Sequence, residues 1–317
     1  MYDDMTHKVI CFMVPTYNSG IELSSTISSI IDTGIDTSDY RILISDNNSS
    51  DNSIDLLHSK NNNADIVIHK NKKNVGRIQN WNNCLQLARS INCKYGIFVF
   101  TSDNLIPNSI LNKIIEQIKD VNYSVIFTPY EMNYGYTKKI VRQLTLSERV
   151  VNSRKFIELF VSRGRFPFAP LQANIFNLEQ SEFYFNEEYP LVADQMMVIE
   201  YLNGTMKDVL IVNKPFFSWN NDKNRTHNKI EYSKLVKDEV DLFNRVTSKY
   251  KINFSADFVK SYMYIRHMKH VFIFGKRSLS EIWRVHSIII SMDGKIRLSC
   301  FLDFFRNDED SIIDSQL

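Results

Sequence analysis

The chain has 317 residues, 44% hydrophobic and 23% charged, a composition of folded globular proteins that excludes a disordered or fibrous chain. Thirty-eight Lys and Arg against 36 Asp and Glu leave a formal net charge of +2, which argues against nucleic acid as a partner, since its binders carry a cationic excess or stripe. No apolar run approaches the ~20 residues that span a bilayer. Residues 1–8 lack the basic region and small-residue cleavage site of a signal peptide. The four cysteines, Cys11, Cys84, Cys93 and Cys300, form no CxxC pair. Cys11 and Cys84 sit in apolar-periodic segments, where a buried free thiol is expected. A cytoplasmic location is the expectation from this cysteine usage.

The first half alternates β-branched runs with amphipathic segments. Val9 to Val14 reads as a buried strand ended by Pro15, and Leu23, Ile27, Ile30 and Ile31 share one helix face. Tyr40 to Ser45 is a second strand, followed by an Asn/Ser/Asp loop from Asp46 to Ser53. Asp65 to His69 is a third, and Ile78, Trp81, Leu85 and Ala88 form a helical stripe, with Trp81 in the core. Tyr95 to Phe100 is a fourth strand closed by a turn at Thr101 to Asn104, and Tyr123 to Thr128 a fifth after a helix carrying Ile110, Ile114 and Ile118. Such alternation predicts βαβ units: an α/β, doubly wound, mostly parallel, Rossmann-like sheet covered on both faces.

Beyond Tyr130 the pattern loosens. Phe156, Leu159 and Phe160 suggest a helix, Phe166 to Leu178 a loop then a strand, and Asp194 to Leu202 a helix ending at Gly204. Val209 to Trp219 is extended and broken by Pro215. Tyr232 to Tyr250 and Phe254 to Phe274 read as long helices. The predicted division is an α/β domain over residues 1–227 and a C-terminal helical extension over 228–317.

Ligands of doubly wound sheets bind at the carboxyl ends of the strands. Four polar loops fall there: Pro15-Thr16-Tyr17-Asn18, Asp46 to Asp51, Asn74-Val75-Gly76-Arg77, and Thr101-Ser102-Asp103-Asn104. The runs VPTYN, ISDNNSSD, NVGRIQNWNNCLQLA and YGIFVFTSDNLIP, in this order and spacing, resemble bacterial family 2 glycosyltransferases of the GT-A fold. The likeness is good over residues 9–107 and looser over 166–227. The variant looks like enzymes of O-antigen and other surface polysaccharide synthesis, including abequosyltransferase-like proteins.

The resemblance implies an inverting transfer from a nucleoside-diphosphate sugar. It places Pro15, Thr16, Tyr17, Asn18, Asp46, Asn48, Gly76, Arg77, Asn80, Thr101 and Ser102 around the donor. Asp46 would accept a hydrogen bond from an N–H of the base, with a helix cap as its plain structural alternative. Arg77 would pair with the diphosphate, or lie exposed in a first helical turn. Asp103 would hold Mn²⁺ or Mg²⁺ against the diphosphate, or simply make a turn before Pro107. Thr101 stands where relatives often carry the first acid, so metal dependence is expected to be weak. Asp222 and His227 are further candidate ligands, near the place where relatives carry a His. Asp194 is the candidate general base and also a good helix N-cap; Ala193 replaces the usual Glu before it.

The implied acceptor is a hydroxyl of a glycan, expected to be lipid-linked, with Phe166 to Asn174 shaping its pocket. The C-terminal cations and aromatics, from Lys260 through Arg266, His267, Lys269, His270, Phe274, Lys276 and Arg277 to Trp283 and Arg284, read first as a helical bundle with a solvated basic face. The sharper reading is peripheral docking on anionic lipid at the inner face of the cytoplasmic membrane. A catalytically silent nucleotide- or glycan-binding module of an assembly complex is the alternative function. An NAD-dependent oxidoreductase is set aside, because no GxGxxG follows the first strand and the chain has only 9 glycines.

Overall fold

The computed structural model describes residues 6–58, 64–133, 138–141, 148–164, 166, 170–180, 183–205, 207–220, 231–273, 278–297 and 299. The first strands are β1 (Lys8–Thr16), β2 (Tyr40–Asp46), β3 (Ile66–Lys70) and β4 (Cys93–Phe98), separated by the helices α1 (Ile21–Ile31), α2 (Asp55–His58) and α3 (Arg77–Ser90). β5 (Asn104–Leu105), α4 (Leu111–Asp120), β6 (Val125–Phe127), β7 (Tyr130–Asn133), β8 (Lys138–Val141), β9 (Arg149–Asn152) and α5 (Ser153–Val161) follow. A 3-10 turn at Leu171–Ala173 leads into β10 (Asn174–Asn177), then α6 (Ala193–Asn203), β11 (Asp208–Ile211) and β12 (Phe217–Asn220). Three long helices close the described chain: α7 (Tyr232–Tyr250), α8 (Ala256–Ile273) and α9 (Leu279–Ile290).

Eight strands form one sheet in the order β3-β2-β1-β4-β10-β6-β11-β9. β1 pairs in parallel with both β2 and β4, and β6 with β11. The inner strands are buried on both faces, which is why they read as unbroken apolar runs rather than as alternation. Along β1, Cys11 and Met13 enter the core under α3, while Ile10, Phe12 and Val14 enter the core under α1 and α4. This is the two-residue period of a pleated strand serving two helix layers.

The chain runs outward from β1 to β3 and then returns to β4 on the other side of β1. The order therefore reverses between β1 and β4, and a crevice opens there at the strands' carboxyl ends.

The α/β expectation is met, with local corrections. β1 continues through Pro15 to Thr16, because a parallel partner accepts a residue lacking N–H near its end. The fifth strand is shorter than Tyr123 to Thr128. β10 runs antiparallel between β4 and β6, and β9 antiparallel beside β11. β12 leaves the main sheet for a small one ordered β5-β12-β7-β8, with Pro215 at the break. None of those long-range pairings has a local signal in the sequence.

The α7 bounds match the sequence reading. Val236, Val240 and Phe243 of α7 pack in the same apolar cluster as Met197 and Tyr201 of α6 and Phe156 of α5. The helices past residue 230 thus share a core with the sheet domain, and the boundary expected at 227/228 lies outside the described residues.

The solvated basic face needs correction. Lys260 and His267 are buried. The Lys260 ammonium donates to the carbonyls of Ile290 (2.7 Å), Met292 (2.6 Å) and Gly294 (3.0 Å), a cationic cap on the carboxyl end of α9. The long Lys stem covers apolar surface while its charge satisfies carbonyls, a use that hydropathy does not reveal. Gly294 has φ +95°, and a Cβ there would stand 2.6 Å from the Ala256 carbonyl carbon, so this close turn needs glycine. Phe274, Lys276 and Arg277 lie outside the described residues. Cys11, Cys84 and Cys93 are buried free thiols, as read for the first two, and Cys300 is not described.

Candidate active site

A cleft of about 590 Å³ opens where β1 and β4 diverge. Pro15 from the end of β1, and Phe100 and Thr101 beyond β4, line one side. Asp194 and Gln195, in the first turn of α6, line another. Tyr130 and Trp219 come from the small sheet, and Tyr232, Glu239 and His270 from the C-terminal helices.

The loops at the strand ends are knitted by hydroxyl and amide groups, as short polar side chains do in turns. Thr16 donates to Ser19 (2.9 Å), and Ser19 to Thr101 (3.1 Å). Asn18, at φ 47°, donates its N–H to Ser49 (2.9 Å) and accepts from the Ser50 N–H (2.9 Å). Tyr17 is half exposed, and Asn48 (φ 62°) is exposed on the next loop. Asp46 is fully buried at the end of β2. Its Oδ1 accepts from the N–H (3.0 Å) and hydroxyl (2.5 Å) of Ser49. Its Oδ2 has no hydrogen-bond partner among the described residues; the nearest cation is Lys70, 3.9 Å away and half exposed. A buried carboxylate oxygen without a donor is costly, so Asp46 stands ready for a ligand N–H.

Asn80 is inside the wall rather than in the cleft. It accepts from Ser45 (2.8 Å) and Asn71 (2.8 Å) and donates to the Ser45 carbonyl (3.0 Å), bolting α3 to β2. Gly76, at φ 85°, makes the turn into α3 that an L side chain would strain. Arg77 is exposed; its guanidinium sits 5.0 Å from the Trp81 ring centroid and donates to the Pro190 carbonyl. Burial lowers its pKa and Asp194 opposes this, so the guanidinium bridges the α3 and α6 sides of the cleft. Trp81 departs from the expected core position: half-buried, it stacks on Phe100 at 5.0 Å and forms cleft wall.

Asp103 is fully buried. Its Oδ2 accepts from Gln172 Nε2 (2.6 Å) and its Oδ1 from the Asn220 N–H (3.2 Å). The Asn220 side chain reaches the Ser102 carbonyl, with Ser102 at φ 76°. Asp103 thus ties the β4 loop to the 3-10 turn before β10 and to β12. Asp222 and His227 lie outside the described residues. Among the described residues no three His, Cys, Asp or Glu side chains converge as a cation set, and both Asp103 oxygens already accept. The described residues do not by themselves fit a divalent cation.

Asp194 is half-buried and accepts from the Gln195 N–H (2.9 Å). Loss of solvation pushes its pKa up to about 6, against the pull of local N–H groups and Arg77. A carboxylate poised near neutrality, in a cleft, has the properties of a general base. Of the expected donor and base residues, Pro15, Arg77, Thr101 and Asp194 meet in one cleft. Thr16, Asn18 and Asp46 form its hydrogen-bonded margin. Within Phe166 to Asn174, Pro170, Leu171 and Gln172 line the cleft, and residues 167–169 are not described.

Sequence reading missed Gln195, Glu239, Tyr232 and His270 as site residues. The signal was slight: Gln195 adjoins Asp194, whereas the others come from distant helices. Glu239 is buried, a state glutamate adopts only when paired, and its partners Arg266 and His267 are 27 and 28 positions away.

The family model of "Glycosyl transferase family 2" matches residues 11–175. The poly(ribitol-phosphate) beta-N-acetylglucosaminyltransferase TarP of Staphylococcus aureus (strain N315) is 28% identical over 124 residues, 39% of this chain and 37% of that protein. The chain therefore matches well under two thirds of that relative. The structure of S. aureus TarS 1–349 in complex with UDP-GlcNAc superposes with a TM-score of 0.62 at 13% identity, covering 88% of this chain and 79% of that one. The mannosyltransferase PcManGT of Pyrobaculum calidifontis, in complex with GDP-Man and Mn²⁺, gives 0.52 at 10% identity, covering 90% and 76%. These are N-acetylglucosaminyl- and mannosyltransferases; an abequosyltransferase-like subgroup is not shown by them. With a family match over more than half its length, and the loops of that match gathered at the β1/β4 crevice, the chain belongs to glycosyl transferase family 2 and has the GT-A fold.

Proposed function

We propose that the protein is an inverting glycosyltransferase that moves a hexosyl or deoxyhexosyl group from a nucleoside-diphosphate sugar to a hydroxyl of a surface-polysaccharide precursor. The observation that carries this reading is Asp194, held near neutrality in the cleft that Pro15 and Thr101 enter from the β1/β4 switch point. The Asp194 carboxylate takes the proton of the acceptor hydroxyl as that oxygen forms its bond to the anomeric carbon. The bond from that carbon to the diphosphate breaks on the opposite face, its electron pair leaving with the nucleoside diphosphate. Asp46 Oδ2 receives an N–H of the base, and the Arg77 guanidinium offsets charge on the diphosphate. The UDP-GlcNAc complex of the TarS neighbour supports a uracil nucleotide as the first candidate.

Calorimetric titration with UDP, dTDP, GDP and CDP, each with and without Mn²⁺, tests the donor site. One nucleotide is expected to bind selectively, and Asp46→Ala to weaken it about tenfold or more, the effect of a lost charge-assisted hydrogen bond. Sharper binding with Mn²⁺ would assign the cation a place on the diphosphate. No binding to the folded protein would sink the reading in favour of a silent module.

We also propose that the acceptor is lipid-linked and that the protein docks on the inner membrane face through α9. No helix among the described residues is long and apolar enough to cross a membrane. Leu279 and Trp283, one turn apart on α9, are 76% and 66% exposed, with Arg284 beside them. Exposed apolar and aromatic groups suit a membrane interface, and Arg284, which also pairs with Glu231 (3.3 Å) and Glu281 (3.8 Å), adds a cation beside them. The full chain should float with vesicles containing phosphatidylglycerol and not with phosphatidylcholine alone; equal flotation, or none, overturns this.

A further inference from the structure

Gln195 lines the cleft one position beyond Asp194 and is 9% exposed. Its amide hydrogen-bonds Glu239, which also meets Arg266 and, at 3.1 Å, His267 Nε2. Ion-paired to Arg266, the Glu239 carboxylate is ionised and can only accept, so Gln195 must turn its Nε2 toward it. The orientation of this amide, ordinarily ambiguous, is thereby fixed. The carbonyl oxygen Oε1 remains buried and without a hydrogen-bond partner. A buried acceptor left unmatched beside a general base calls for a donor that arrives with the ligand.

We propose that Gln195 Oε1 accepts a hydrogen bond from a second acceptor hydroxyl, adjacent to the one that Asp194 deprotonates. The acceptor class is then a vicinal diol, as on the edge of a pyranose ring or along an alditol chain. Asp194 and Gln195, in the first turn of α6, both line the same cleft, so one ligand can meet both with neighbouring oxygens. The C-terminal helices α7 and α8 enter the site through this contact, since Glu239, Arg266 and His267 hold the amide that reads the second hydroxyl. This assignment rests on the transferase reading above and adds the acceptor's chemistry to it.

The test is a competition among three small alcohols of equal carbon number: 1,2-propanediol, 1,3-propanediol and 1-propanol. They are mixed at equal concentration with the protein and, in separate samples, UDP-GlcNAc, UDP-galactose, GDP-mannose or dTDP-rhamnose. Mass spectrometry counts the propyl glycosides and the free sugar. The wild type should favour the 1,2-diol about tenfold or more over both competitors, the discrimination typical of one buried hydrogen bond. Gln195→Met, and Gln195→Asn with its carbonyl withdrawn by one methylene, should bring the ratio close to one. Because the readout is a ratio within one sample, a general loss of activity cancels. Glycosides formed without preference, or hydrolysis alone, in the wild type overturn this inference while leaving the transferase standing. No nucleoside diphosphate release from any donor overturns the transferase reading, and this inference with it.

Discussion

Asp194→Asn is expected to lower glycosyl transfer by about 10²- to 10⁴-fold, the range of a positioned general base, while nucleotide binding is retained. The asparagine Oδ1 can still accept the Gln195 N–H that Asp194 accepts at 2.9 Å, so the helix start keeps its geometry. In the wild type the transfer rate should rise with pH through about 6 and level off above, because only the ionised carboxylate accepts a proton. That limb should vanish in the variant. The stability consequence has the opposite sign. Asp194 has a folded pKa raised above the unfolded value of 3.8, so its neutral form favours the native state. That contribution is full below pH 3.8 and is lost as pH rises through about 6. Full burial would put its size near 3 kcal/mol; for a half-buried side chain, about 1 to 2 kcal/mol is expected. Urea titration at pH 8 should therefore find Asp194→Asn more stable than the wild type by about that amount, a trade of activity for stability. Near-wild-type turnover would remove Asp194 from the chemistry.

Glu239→Ala should destabilise the fold by about 3 kcal/mol, the cost of removing one partner from a buried ion pair, and lower the melting temperature by roughly 5 °C or more. Burial favours the neutral acid at Glu239, but Arg266, His267 and Gln195 outweigh it and hold the pKa at about 2. A depressed carboxylate stabilises the native state above its unfolded pKa of 4.5 and loses that contribution as pH falls toward 2. The wild type should therefore lose stability across that acid range, and the variant should show a flatter profile there. His267, buried and beside Arg266, has its pKa lowered, so its own contribution is also lost on acidification, with the same sign as that of Glu239. A melting point and acid profile equal to wild type would show that the network carries no stability. The predicted loss of diol preference in Gln195 variants is separate from this effect, because those variants leave Glu239 with Arg266 and His267.

Strands β1 to β4 and helices α1, α3 and α4 were legible because their apolar periods are local and strong. A parallel strand buried on both faces appears as an unbroken apolar run, and its covering helix as a stripe at 3.6 residues. The polar loops were legible as a set, because their order and spacing along alternating elements put them at one end of the sheet. Trp81 was misplaced for a related reason: its position in the stripe is the same whether the ring packs inward or leans over α3 to meet Phe100 and Arg77. Lys260, Arg266 and His267 look like a solvated face in any hydropathy profile, since nothing local announces that carbonyls and a carboxylate await them.

The sequence by itself determined the α/β class, the family and the gathering of the polar loops at one end of the sheet, because those depend on residues close together in the chain. Only the tertiary structure decided that β10 runs antiparallel between β4 and β6, that Asp103 is held by Gln172 and Asn220, and that Glu239 of α7 orients Gln195 beside Asp194. Those contacts join residues dozens to more than a hundred positions apart. Their free energy comes from burial, hydrogen bonding and charge pairing that exist only once the elements have packed.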